Sequence, residues 1–124
     1  MFFVFHDQTE MTHRALDEII NPGTLRFSDY MEKERRSPEN KELFVAGEGT
    51  IMLRLLEGLA SNAALSARGS VILFDYDVIA RIDESVNIKP YFEKILARYT
   101  IFYYAREESS IARIKGAELP FEAL

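Results

Sequence analysis

Cysteine is absent from this chain of 124 residues, and so is tryptophan. Without cysteine there is no disulfide, no thiolate nucleophile and no Cys-ligated zinc. The lack fits a reducing compartment without requiring one. A basic surplus is also missing. The net charge is −5, and residues 1–62 carry 7 basic and 11 acidic side chains against 8 and 9 in residues 63–124. Neither half offers the cationic excess that neutralises a phosphate backbone, so nucleic acid is an unexpected partner. No stretch approaches the ~20 apolar residues of a membrane span. The opening Met-Phe-Phe-Val-Phe-His has no basic segment ahead of its short apolar run, unlike a secretion signal. The expectation is a cytoplasmic protein with no membrane partner.

What is present is a core. Apolar residues make up 48% of the chain, with nine Phe and six Tyr, enough for one domain over residues 1–124 without staples. Phe2–Phe5 reads as a short buried strand. Asp7 and Glu10 resemble a capping box ahead of a helix that Asn21-Pro22-Gly23 stops. Leu25 and Phe27 fit a short strand or an anchored loop. Ser28 is placed to cap a polar helix through Arg36, on which Lys33, Arg35 and Arg36 alternate with Glu32 and Glu34 as a solvated face. Ser37-Pro38 starts a further helix toward Gly47.

After a break at Gly47-Glu48-Gly49, Thr50 opens a helix that Gly69 ends. Only Arg54 and Glu57 are charged between Ile51 and Ala67, and apolar residues nearly surround the axis. Such a helix needs cover on most faces. A second copy of the chain is the expected source, with Met52, Leu55, Leu56, Leu59 and Ala63 at the interface. Gly58 within it costs about 1 kcal/mol relative to alanine.

The stretch Val71 to Asp83 is the best place to look for chemistry. Four large apolar residues, Val71-Ile72-Leu73-Phe74, fit a strand covered on both faces. If the strand runs on through Ile82, Asp75 and Asp77 project from one face. Pro90 then starts a short helix, Tyr99–Ala105 is a β-branched and aromatic strand, and Ser110–Ile114 returns antiparallel as a hairpin. The tail from Lys115 is an irregular arm. Ile-Ala-Arg-Ile occurs twice, at 79–82 and 111–114. The fold expected is a single α/β or α+β domain, with a mixed sheet of four or five strands and helices on at least one face.

Three constellations carry candidate chemistry. Asp75 and Asp77, with His6 at the end of the first strand, are candidate catalytic residues, and Asp75, Asp77 and Asp83 candidate ligands for Mg²⁺ or Mn²⁺. Leu73-Phe74-Asp75-Tyr76-Asp77 resembles the first motif of haloacid-dehalogenase-type phosphatases, which implies a nucleophile and an acid/base on the two aspartates. Val78 and Ile79 stand where that motif has Gly and Thr. The segment from Arg98 through Tyr103 to Arg113 and Lys115 is similar to the last strands of RelE/ParE-type toxins, which implies RNA cleavage by those four side chains. Gly47-Glu48-Gly49-Thr50 lacks the lysine and spacing of a phosphate loop.

None of these sets is complete. The primary expectation is a non-catalytic binding or regulatory module acting through protein contacts, as a homodimer, with no cofactor and with a basic protein as a suitable partner. The alternative is a small enzyme: a metal-dependent hydrolase on Asp75 and Asp77, or a toxin-like ribonuclease on the hairpin.

Overall fold

Every strand of the sheet runs the same way. The computed structural model describes residues 1–6, 24–42, 47–61 and 71–123. Within them the strands are β1 (Phe2–Phe5), β2 (Thr24–Arg26), β3 (Val71–Phe74), β4 (Thr100–Tyr104) and β5 (Glu122–Ala123), in the spatial order β2-β3-β4-β1-β5. All four ladders are parallel. The α/β class and the strand count agree with the sequence; the pairing is parallel where a mixed sheet was expected. Among the described residues, four α-helices with full bounds accompany the sheet: α1 (Phe27–Arg36), α2 (Glu48–Ser61), α3 (Lys89–Leu96) and α4 (Glu108–Gly116). The expected capping box at 7–10, the helix over 11–20, its stop at 21–23 and the helical residues 62–69, Ala63 among them, lie outside the described residues.

Three elements differ from expectation. The central strand ends at Phe74, and residues 79–81 form a 3₁₀ turn. Ile79 and Ile82, three residues apart, eclipse on one side of that turn, and both are buried. The expected hairpin does not form either: Ser110–Ile114 lies within α4. Four residues with two isoleucines fit strand and helix alike. Ile111 and Ile114 are also a helical i,i+3 pair. Glu108 in the first turn and Arg113 and Lys115 in the last complement the helix dipole. Once β4 is parallel to its neighbours, a crossover is needed to reach the far side of β1, and α4 supplies it. The tail is no irregular arm. Glu118 takes a left-handed φ of 57° after α4, Leu119 is buried, and the chain adds β5 alongside β1.

Ser37-Pro38 opens a 3₁₀ turn at Pro38–Asn40, residues 41–42 are helical, and the remainder of the expected helix, 43–46, lies outside the described residues. The break expected at Gly47 is present, with a left-handed φ of 136° that suits glycine. The helix starts there rather than at Thr50: Ile51 donates its N–H to the Gly47 carbonyl.

One face of the sheet carries Phe2, Val4, Ile72, Phe74, Ile101 and Tyr103, and register places them side by side. Phe92 of α3 stacks on Phe2 at 5.8 Å and Phe27 of α1 on Phe74 at 5.1 Å, so helix anchors and strand residues share one aromatic core. Met52, Leu55, Leu56 and Leu59 belong to this core, each no more than 4% exposed. The cover these four side chains were expected to find on a second copy is supplied by their own chain, with α3 packed against α2. These four side chains, expected at an interface, are interior to the chain itself.

Gly58 has a specific reason to lack a side chain. A methyl group there would overlap the Tyr30 hydroxyl. Tyr30 is held in place by burial and by an edge contact with Phe27, and burial, then Glu34, pushes its phenol up to about 12. Gly58→Ala should therefore destabilise the protein by about 1–3 kcal/mol through overpacking, despite the helix propensity gained. In a Tyr30→Phe background the same change should become neutral or stabilising, which urea denaturation of the four proteins reads directly.

Tyr99 presents the opposite situation. It is 3% exposed, and its hydroxyl has no hydrogen-bond partner among the described residues. Burying an unpaired hydroxyl costs about 1–3 kcal/mol. Tyr99→Phe keeps the ring and removes the liability, so its thermal midpoint should exceed that of the unmodified protein; a lower midpoint would show that the hydroxyl is satisfied. Among the described residues, no helix is long and apolar enough to cross a membrane.

Candidate functional site

The tops of β4 and β1 are where the chain reverses direction across the sheet. From β1 it travels to β2 on one flank; from β4 it travels to β5 on the other. In open parallel sheets, ligands bind outside the carboxyl ends of the strands. The residues singled out after β1 and β3 all sit on this edge.

Asp77 is 7% exposed and is the most heavily bonded side chain there. Its Oδ1 accepts from the Tyr103 hydroxyl at 2.5 Å, and Ser110 Oγ lies 2.9 and 2.8 Å from its two oxygens. Its Oδ2 accepts from the backbone N–H groups of Arg106 at 2.8 Å and Glu107 at 3.2 Å. Asp77 thus caps α4 from across the sheet, a role that Glu107, at the cap position itself, does not fill. The Tyr103 phenol is driven far above its ordinary range by burial, then by the Asp77 charge and hydrogen bond.

Asp75 does the same for α1. Its Oδ1 accepts from the Ser28 N–H at 2.9 Å, its Oδ2 from Ser28 Oγ at 2.5 Å, and Arg26 Nε lies 3.4 Å away. Ser28, expected to cap α1 itself, is instead the donor to this cap. The two aspartates do not share a face: the strand has ended, and each turns toward the start of a different helix. Asp83, the third expected ligand, is exposed and accepts from the Ser85 N–H, which lowers its carboxyl below the usual range. Among the described residues, no three acids or histidines are placed to hold a metal ion. Asp77, its two oxygens filled by N–H and O–H donors, has little left for a cation, and Asp75 and Asp83 turn to other partners, so the three do not gather as the expected Mg²⁺ or Mn²⁺ ligands.

His6 meets the loop after β4 and not Asp75. Its Nδ1–H donates to the Ala105 carbonyl at 2.9 Å, and Nε2 lies 3.9 Å from Glu108. That bond orients the ring and joins the tops of β1 and β4.

The residues expected to cleave RNA are also committed elsewhere. Tyr103 is buried. Arg113 donates to the carbonyls of Ile79 and Ile82 at 2.8 and 2.7 Å and to those of Asp83 and Val86, both at 3.0 Å. The two Ile-Ala-Arg-Ile segments therefore do meet, as two helical turns joined by the arginine of the second. Arg98 lies at the opposite edge of the sheet, ahead of β4, and Lys115 is exposed on the last turn of α4.

Between the loops after β3 and β4 lies a cavity of about 440 Å³. Tyr76 and Arg81 belong to one wall and Tyr104, Arg106 and Glu107 to the other, with Asp75 and Asp77 below. Tyr76 donates its hydroxyl to Glu48 Oε1 at 2.6 Å, and burial, then that bond, raises its phenol. Arg81 lies 5.9 Å from the Tyr76 ring and 3.7 Å from Glu48. Tyr76, Tyr104 and Arg106 escaped the sequence reading. Only the parallel course of β4, which aims its last residues at the same edge as Asp75, could have drawn attention to them. No protein-family model, curated protein or solved structure matches this chain.

Proposed function

We propose that this protein is a non-catalytic binding or regulatory module that engages a partner protein with the carboxyl edge of its sheet. One observation carries the reading: at the carboxyl edge of the sheet, two tyrosines and two arginines wall a single cavity whose floor is locked by the Asp77 and Asp75 hydrogen bonds. Tyrosine and arginine are the side chains that dominate binding energy at protein interfaces, above all where their surroundings are rigid. The aspartates offered as catalysts build that rigidity, which supports a binding role over a hydrolytic one. With α2 covered by its own core, the partner is a different protein, and the chain itself should run as a monomer in light scattering at high concentration. The net charge of −5 would steer a basic partner toward it, acting on the encounter rate more than on the final affinity.

The test is affinity capture from cells with three forms of the protein: unmodified, Tyr104→Ala/Arg106→Ala at the edge, and Arg98→Ala at the opposite edge. A partner held by the first and third and lost by the second supports the reading. An identical set captured by all three would sink it.

A further inference from the structure

We infer that the cavity at this edge takes a small zwitterion, a free α-amino acid or a compound with the same carboxylate and ammonium groups, which would govern access of the partner. The inference rests on the carboxyl edge being the recognition surface. Its basis is the distribution of charge. The wall after β3 supplies Arg81, and the wall after β4 supplies Glu107 and Arg106, with Asp75 and Asp77 in the floor. A bare anion entering would face three carboxylates, and a bare cation two guanidinium groups. A molecule carrying both charges meets a complement at each end.

Binding capacity remains on both sides. The Arg106 backbone is fixed by its bond to Asp77, while its guanidinium has no carboxylate partner among the described residues. Its planar fork suits a carboxylate held by two parallel bonds. Asp75 has roughly four acceptor positions, of which Ser28 and Arg26 occupy three, and among the described residues Glu107 accepts only from Ser109 Oγ at 3.2 Å. An ammonium group can take what is left. The tyrosine rings leave an aromatic surface for a side chain. A volume of about 440 Å³ falls in the lower part of the range of small-molecule sites, roughly 300–1,000 Å³.

The experiment is isothermal titration of the full chain with glycine, L-glutamate and L-phenylalanine, beside acetate and ethylammonium as half-ligands, with thermal melts in parallel. At least one amino acid should bind and raise the melting midpoint at millimolar concentration, while neither half-ligand does so. Arg106→Gln should weaken that binding about tenfold or more, the loss of a charge-assisted bond, and Arg98→Gln should not change it. Because the Arg106 side chain is exposed, its replacement should leave the fold intact; Glu107→Gln repeats the test if circular dichroism shows otherwise. The inference is overturned if no amino acid binds, if acetate alone binds as well, or if neither wall variant weakens binding. Loss of partner capture by the edge variant, with no amino acid bound, would remove the zwitterion and leave the edge reading standing. Amino-acid binding with capture unaffected by the edge variant would do the reverse.

Discussion

Arg113→Ala should lower stability by about 2–4 kcal/mol and open the loop from Ile79 to Val86 to proteolysis. Four backbone carbonyls converge on this guanidinium, two of them from the 3₁₀ turn and its end and two from the loop beyond it. The planar fork can serve all four at once because its N–H groups diverge in fixed directions. Alanine leaves the Ile82 carbonyl facing buried apolar neighbours, while the Ile79 carbonyl keeps its bond from the Ile82 N–H. Solvent replaces only the outer two bonds cheaply, since Asp83 is exposed. Arg113→Lys should fall between, because one ammonium cannot reach four diverging acceptors. Urea denaturation and limited proteolysis of the three proteins give the ranking. A side chain kept for RNA would behave otherwise: alanine there would leave the denaturation midpoint unchanged.

The same arginine shows where sequence reading stops. Strands β1, β3 and β4 and helix α3 are legible because their apolar residues run unbroken or begin at Pro90. The site was legible only as a location. Asp75 and Asp77 stood out because they are carboxylates directly after a buried strand, and they do lie at the carboxyl edge. Their partners were invisible. Ser28 is 47 residues from Asp75, Ser110 is 33 from Asp77, and Arg113 is 27–34 from its carbonyls, separations that depend on strand order. Strand order itself turned on a short segment, Ser110–Ile114, where two isoleucines fit either period. Reading it as a strand made a hairpin and placed Arg113 on a sheet surface. As a helix, it carries the same residue back over the turn after β3. The surplus apolar residues of α2 misled for a different reason: hydropathy reports that a face must be covered and is silent on what covers it.

Asp77→Ala should be the most damaging single change in the protein, costing about 3–5 kcal/mol, and Asp77→Asn about 2–4 kcal/mol. The order follows from what each leaves behind. With alanine, the buried hydroxyls of Tyr103 and Ser110 and the N–H groups of Arg106 and Glu107 lose their acceptor together. Asparagine keeps one oxygen, which can still receive the two amides. Its amino group then faces Tyr103 and Ser110, whose hydroxyls must turn from donating to accepting. The Tyr103 hydroxyl already accepts from the Ile79 N–H at 2.9 Å, so that adjustment is crowded. Asp75→Asn should cost only about 1 kcal/mol, the value of a helix cap, because Ser28 and Arg26 lie closer to water. The sign of these effects separates the two roles open to the aspartates. Carboxylates held for catalysis are tolerated at a cost to the fold, so neutralising them leaves stability unchanged or improves it. Carboxylates that cap helices across a sheet stabilise it. Thermal melts of Asp75→Asn, Asp77→Asn and Asp77→Ala, each with and without Mg²⁺, should show a falling midpoint in that order and no response to the metal. A double-mutant cycle of Asp77→Asn with Tyr103→Phe should then return a coupling of about 1 kcal/mol or more, since the two groups touch in the core. An Asp77→Asn protein that melts above the unmodified one would return this edge to the enzymes.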